Sequence, residues 1–197
     1  LHKAIFCSVV PKCYNKIKFF IKKKLNTNCI ELKELNFDKL IKIKVNKKQI
    51  GSDRLSNAIS VIDNKNNYII VDFGTATVFD AVTKDGDYLG GAIAPGINIA
   101  ADALFHNASQ LKRVEFNVPK AAIGKNSITS LQSGLLFGYI DLVEGMVKRF
   151  KSELDPNAKV IATGGLAELF AKETNIFAAV NLDLTLLGLK MIYDLNR

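Results

Sequence analysis

Residues 68–97, YIIVDFGTATVFDAVTKDGDYLGGAIAPGI, constrain the fold more than any other stretch of the chain. Tyr68-Ile69-Ile70-Val71 is a β-branched and aromatic run, the pattern of a buried strand. It leads directly into Asp72-Phe73-Gly74-Thr75-Ala76-Thr77, and a second strand, Val78 to Val82, returns after it. Lys84-Asp85-Gly86-Asp87 is a hairpin turn signal. A third strand then enters the glycine-rich corner Gly90-Gly91-Ala92-Ile93-Ala94-Pro95-Gly96. A sheet is therefore the organising element.

An acid at the end of a buried strand, followed by Gly-Thr and a tight turn, has a chemical logic. Gly74 lets backbone approach a phosphate closely, and turn N–H groups with the Thr75 and Thr77 hydroxyls supply neutral donors. The Asp72 carboxylate suits a cation beside those phosphates. An ordinary hairpin whose Asp and Thr side chains cap turns accounts for the same residues. The second glycine corner, and Thr163-Gly164-Gly165 after a strand, favour nucleotide binding.

Elsewhere the pattern alternates strand and helix. Ala4 to Val10 reads as a buried strand stopped by Pro11. Tyr14 to Leu25 has a helical period with apolar residues at 17, 20, 21 and 25, and Cys29 to Leu32 reads as a strand, which predicts a parallel pair. Residues 39–45 alternate like an edge strand or loop. Gly51-Ser52-Asp53-Arg54 opens a helix over Leu55 to Ile62. Asp53 there reads as a helix cap from its position alone, or as part of a polar site for a small hydroxylated or carboxylated ligand. A helix over Ala100 to Phe105 and a strand over Val114 to Val118 follow. Ile123-Gly124-Lys125-Asn126-Ser127 introduces a long helix, about Ser130 to Glu153, whose Gly134, Gly138 and Gly145 predict close packing. Ser127 reads as a cap or a ligand contact. Lys159 to Ala162 is a strand, Leu166 to Lys172 a helix, and the apolar ending from Asn181 a terminal helix.

Charge and composition narrow the class. The formal charge is +8, and residues 1–50 hold thirteen lysines against three acids. The lysines alternate with apolar residues as on a solvated face, with too few aromatic residues interleaved to build a base-stacking surface. Neither a nucleic-acid nor a membrane partner is expected, and no stretch of eighteen apolar residues occurs. Leu1 to Pro11 lacks the basic segment of a signal peptide. Cys7, Cys13 and Cys29 show no paired or metal-binding spacing, His2 and His106 stand apart from any ligand pattern, and a cytoplasmic location is expected.

VDFGTATVFD followed by GGAIAPGI resembles the second phosphate motif of the type III pantothenate kinases, members of the acetate and sugar kinase, Hsp70 and actin superfamily. IGSDRLSNAI at 50–59, IGKNSITSLQSG at 123–134 and IATGG at 161–165 match in the same order. The resemblance implies an α/β fold of two ribonuclease H-like, actin-like ATPase domains. The first would be truncated and span 1–66 with the substrate motif; the second, 67–197, would carry the phosphate and adenosine motifs. It implies ATP-dependent phosphorylation of pantothenate to 4'-phosphopantothenate, the first step of coenzyme A biosynthesis. Asp53 would be the catalytic base, and Gly51, Ser52, Asp53, Arg54 and Ser127 would bind the substrate. Gly74, Thr75, Thr77, Thr163, Gly164 and Gly165 would bind ATP. Asp72 would hold a monovalent cation, K⁺ or NH₄⁺, with Mg²⁺ accompanying ATP. A homodimer would share the pantothenate pocket.

Two departures stand out. Val78 occupies a position where the family commonly has threonine, removing one hydroxyl near the phosphates. The family's leading strand with D-x-G-N-T has no counterpart before residue 50, so these 197 residues are not expected to turn over alone. A non-catalytic accessory or regulatory relative is the alternative; retention of Asp53, Arg54, Asp72 and Thr75 argues against it.

Overall fold

The computed structural model describes residues 3–8, 10–108, 111 and 113–196. Leu1, His2 and Val9, part of the N-terminal expectations, lie outside them. The chain forms β1 (Lys3–Phe6), α1 (Pro11–Leu25), β2 (Asn28–Glu31), β3 (Lys42–Ile43), α2 (Ser52–Ser60), β4 (Tyr68–Phe73), β5 (Ala76–Val82), β6 (Asp87–Pro95), α3 (Ile97–Asn107), α4 (Ser127–Glu153), β7 (Lys159–Thr163), α5 (Ala167–Ala171), β8 (Ala179–Val180) and α6 (Leu184–Leu195). This is a mixed α/β protein. β1 and β2 form a two-stranded sheet; six strands form a second in the order β3-β6-β5-β4-β7-β8.

The chain clusters into two compact units. The first comprises residues 1–68, 80–90 and 182–197; the second comprises 69–79 and 91–181. Within the first, β1 and β2 run parallel with Lys3 opposite Asn28 and Phe6 opposite Glu31. A parallel pair needs a crossover, and α1 supplies it. Pro11 does not end a strand: it sits in the first turn of α1, where a missing N–H costs nothing. The lysine face of α1 is solvated, but Phe20 and Leu25, expected to be buried, are exposed along with Phe19.

α2 and α6 pack closely in this unit. Leu55, Ala58 and Ile59 are buried, as are Leu184, Leu189 and Ile192. A Cβ on Gly188 would lie 1.9 Å from the Ser56 carbonyl oxygen, so only glycine fits. Ser56 Oγ donates to the Thr185 carbonyl at 2.7 Å, and Thr185 Oγ1 donates to Asn57 Oδ1 at 2.6 Å. Residues 39–45, open between edge strand and loop, form a strand only at Lys42–Ile43, parallel to the start of β6. Thr83–Gly86 closes the β5–β6 turn, with Gly86 at φ +78° donating to the Thr83 carbonyl at 3.0 Å. A connection this short makes β5 and β6 antiparallel.

The second unit has the larger apolar core. Ile69, Val71 and Phe73 of β4, Phe79 of β5, and Val160 and Ala162 of β7 pack with one stripe of α4: Leu136, Tyr139, Ile140, Val143 and Val147. Those spacings of three and four residues put one face of the helix on the core. Phe170 of α5 stacks on Phe73 with ring centroids 4.7 Å apart. Three expectations change here. Residues 114–118 form no strand. α4 starts at Ser127, three residues early, because Asn126 caps it: its side chain accepts from Thr129 N–H at 3.0 Å, and Thr129 Oγ1 accepts from Asn126 N–H. Gly134, Gly138 and Gly145 mediate no close packing, since a Cβ on any of them meets nothing within 4 Å.

Candidate functional site

The first group of expected site residues lies on the opening turn of α2. Gly51 is the N-cap in extended conformation, so Asp53 is not the cap. Asp53 sits in the first turn, where a carboxylate complements the helix dipole, and its Oδ1 accepts the N–H of Arg54 at 2.8 Å. Ser52 is buried, with Oγ 3.4 Å from the Ser8 carbonyl; Asp53 is half-buried. Gly51 also lines a cleft of about 490 Å³ with Ser8, Tyr14, Glu31, Lys33 and Lys48.

Arg54 does not pair with the neighbouring Asp53. Its Nε lies 3.1 Å and its Nη2 2.6 Å from Oδ1 of Asp80, in the middle of β5. Asp80 is almost wholly buried, and Tyr88 Oη of β6 donates to the same oxygen at 2.6 Å. The Arg54 guanidinium carbon lies 6.0 Å from the Tyr88 ring centre, at the outer range of a cation–π contact. Burial pushes the Asp80 carboxyl above the ordinary range, while Arg54 and Tyr88 pull it back. Burial and the Asp80 charge both hold the Tyr88 phenol up, so it remains a donor. Burial also works against the Arg54 charge, and Asp80 more than restores it. Neither Asp80 nor Tyr88 was expected at the site. The available signal was an acid inside the apolar run Val78-Phe79-Asp80-Ala81-Val82, which requires a buried partner.

The second group lies in the second unit, where the ends of β4 and β7 come together. Gly164, at φ +89°, packs so closely that a Cβ would be 2.5 Å from Asp72 Oδ1 and 2.7 Å from Phe73 backbone. A Cβ on Gly74 would be 3.7 Å from the same Asp72 oxygen. Gly96 closes the corner: its N–H donates to the Thr75 carbonyl at 3.1 Å, and a Cβ there would be 2.3 Å from that oxygen. Asp72, Gly74, Thr75, Gly96 and Gly164 are thus brought together by a backbone proximity that only glycine allows at positions 96 and 164. Thr75 and Gly165 are exposed, whereas Thr163 is buried.

Thr77 is also buried, and its hydroxyl meets the Tyr139 hydroxyl. Tyr139 Oη donates to the Pro95 carbonyl at 3.1 Å, so the Thr77 proton is committed to Tyr139. Tyr139 was not expected, because nothing local to α4 announces a partner on β5. Ser127 is exposed at the first position of α4, relieved of capping by Asn126. Among the described residues, no hydrogen bond joins it to the rest of the group.

Asp72 contributes a carboxylate, the type of hard oxygen donor that alkali and alkaline-earth cations take. Among the described residues, no group of three or more His, Cys, Asp or Glu side chains forms a metal cluster. No described helix is long and apolar enough to cross a membrane.

A Campylobacter jejuni protein named as a Baf family transcriptional activator has a crystal structure that superposes at TM-score 0.69. The match covers 100% of this chain and 84% of that one at 20% identity, so the two share a fold. The family profile described as type III pantothenate kinase matches residues 1–149. The type III pantothenate kinase of Pelagibacter ubique is 47% identical over 96% of this chain and 76% of its own length. That of a Roseiflexus species is 51% identical over 76% of this chain and 59% of its own, and that of Syntrophus aciditrophicus 49% over 77% and 60%. The chain thus spans about three-fifths to three-quarters of these relatives. With a matched profile over three-quarters of its residues and close relatives bearing one name, the chain belongs to the type III pantothenate kinase family.

Proposed function

We propose that the protein phosphorylates pantothenate with ATP, and that the opening turn of α2 is where the acceptor hydroxyl is activated. The observation that carries this reading is the turn itself: a half-buried carboxylate whose guanidinium neighbour is engaged elsewhere. Asp53 takes the proton as the hydroxyl oxygen forms its bond to the γ-phosphorus, while the bond from that phosphorus to the β-bridging oxygen breaks and ADP leaves with the electron pair. Gly51 and Ser52 bound the substrate, and Arg54 offers its remaining N–H donors to the substrate's polar groups. Ser127, exposed at the start of α4, offers its hydroxyl as a pantothenate contact.

Phosphoryl transfer needs positioning and charge neutralisation more than covalent chemistry from the protein. Thr75 donates to phosphate oxygens, Gly74, whose N–H is given to the Ala76 carbonyl at 3.1 Å, allows the close approach, and Thr163, Gly164 and Gly165 border the nucleoside. Thr77 acts indirectly, fixing the loop through Tyr139. Asp72 would hold K⁺ or NH₄⁺, and Mg²⁺ would arrive with ATP; these cations supply positive charge against the phosphates. Two ribonuclease H-like domains, a homodimer and a cytoplasmic setting accord with the family and with free cysteines at 7, 13 and 29.

Asp53→Asn tests the reading. In the full-length protein it should lower kcat by about 10²–10⁴-fold, the usual contribution of a general base, with the circular-dichroism spectrum unchanged. A variant that keeps near-normal kcat would make Asp53 a dipole-complementing residue and nothing more.

A further inference from the structure

Arg54 has a carboxylate as its immediate neighbour, yet its guanidinium takes one 26 residues away. The reach is not free. Asp80 is buried inside a strand, and its burial is offset only because two donors, Arg54 and Tyr88, converge on it. Asp53 stays close enough for its charge to be felt by Arg54, Asp80, Tyr88 and the Cys7 thiol that follows β1. If Asp80 were absent, the nearest anion for Arg54 would be Asp53.

We propose that Asp80, held by Tyr88, is a positioning residue that keeps the Arg54 guanidinium off Asp53, so that the base remains unpaired and able to accept a proton. This rests on the reading of Asp53 as the base. The pairing is side-on, through Nε and Nη2, which fixes the guanidinium plane and leaves Nη1 without a protein acceptor among the described residues. The Asp80–Arg54 pair is close to neutral as a unit. Arg54 therefore contributes directed N–H donors, and little net positive charge acts on Asp53. A carboxylate captured by a guanidinium at about 4–6 Å or less gives up basicity. Asp80 prevents that capture.

The test uses steady-state kinetics of the full-length protein across pH, with Asp53→Asn alongside. Asp80→Asn should lower kcat about tenfold or more and move the acid limb of the kcat profile down by about one pH unit, as a freed positive charge beside the base requires. The decisive variant is the double one, Arg54→Gln with Asp80→Asn. Removing both charges should return the acid limb and most of kcat towards wild type, while KM for pantothenate stays raised because the Arg54 donors are gone. A residue that only supports the fold would give no such recovery. Tyr88→Phe should shift the limb in the same direction by less, and it keeps the test open should Asp80→Asn not fold.

The inference is overturned if folded Asp80→Asn or Tyr88→Phe leaves kcat and the acid limb unchanged, or if the double variant is no better than Asp80→Asn. If Asp53→Asn retains activity, the reading of the base fails, and the inference falls with it. Loss in Asp53→Asn with no effect at Asp80 overturns the inference alone.

Discussion

Four donors converge on the Asp63 carboxylate in the turn before β4. The N–H groups of Lys65 and Asn66 reach Oδ1, each at 2.9 Å; the Asn66 amide and the Tyr68 hydroxyl reach Oδ2 at 2.5 and 2.8 Å. Desolvation pushes this carboxyl up, but the four donors more than reverse it and hold it far below the ordinary range. A lowered folded value means that the stabilisation is fully present above the unfolded value, about pH 4, and is lost as pH falls towards the folded one. Asp63→Ala should cost about 1 kcal/mol at neutral pH, a figure kept small because the group is exposed and screened. Urea titrations of both proteins should show the gap narrowing below about pH 4. Side-chain roles of this local kind were legible in the sequence where the backbone dictates them, as with Asp53 on a helix opening and Gly86 in a turn. Those that depend on a distant strand were not. Thr75 and Thr77 look equivalent as letters, but Thr75 sits exposed in the bend before β5 while Thr77, inside the strand, meets Tyr139, 62 residues on. Asp80 and Arg54 are joined by register, which no local pattern encodes.

Glycines in helices separate two kinds of element contact. Gly188 of α6 faces the Ser56 carbonyl with no room for a methyl group, whereas Gly138 of α4 faces open space. Gly188→Ala should therefore destabilise by about 1–3 kcal/mol through overpacking and displace α2 with its substrate motif. Gly138→Ala should stabilise by about 0.4–1 kcal/mol by restricting the unfolded chain. Thermal or urea unfolding of the two variants checks both signs. A loss at Gly138 would mean that something outside this chain covers that face of α4. Existence and type of the helices followed from apolar periodicity, and the tight turns from their glycines. The errors came where one cue serves two purposes. Pro11 can close a strand or open a helix, and a helical glycine can serve a contact or merely be tolerated. Only packing decides between them.

At the scale of the molecule, the charge excess and the proposed cation site belong to different regions. Residues 1–50, with thirteen lysines against three acids, account for the whole excess of positive charge, whereas the loop read as binding phosphate carries Asp72 and no lysine between residues 68 and 83. On the proposed reading, phosphate neutralisation there would fall to cations and neutral donors. Activity of the full-length protein should accordingly rise on replacing Na⁺ by K⁺ or NH₄⁺, and Asp72→Ala should abolish the difference. Equal rates in Na⁺ and K⁺ buffers would leave Asp72 as a ligand for Mg²⁺ or for water.

The brace between α2 and α6 also sets a schedule for synthesis. Ser56 and Thr185 are 129 residues apart, and translation at about 5–20 residues per second separates their appearance by roughly 6 to 26 s. Throughout that interval Leu55 and Ile59 have no α6 to cover them. The helix that carries Asp53 and Arg54 thus spends that interval as an unpartnered amphipathic segment, the kind of surface a ribosome-associated chaperone shields. Crosslinking of stalled nascent chains should find α2 in chaperone contact until residues 184–195 clear the exit tunnel, and released from it afterwards.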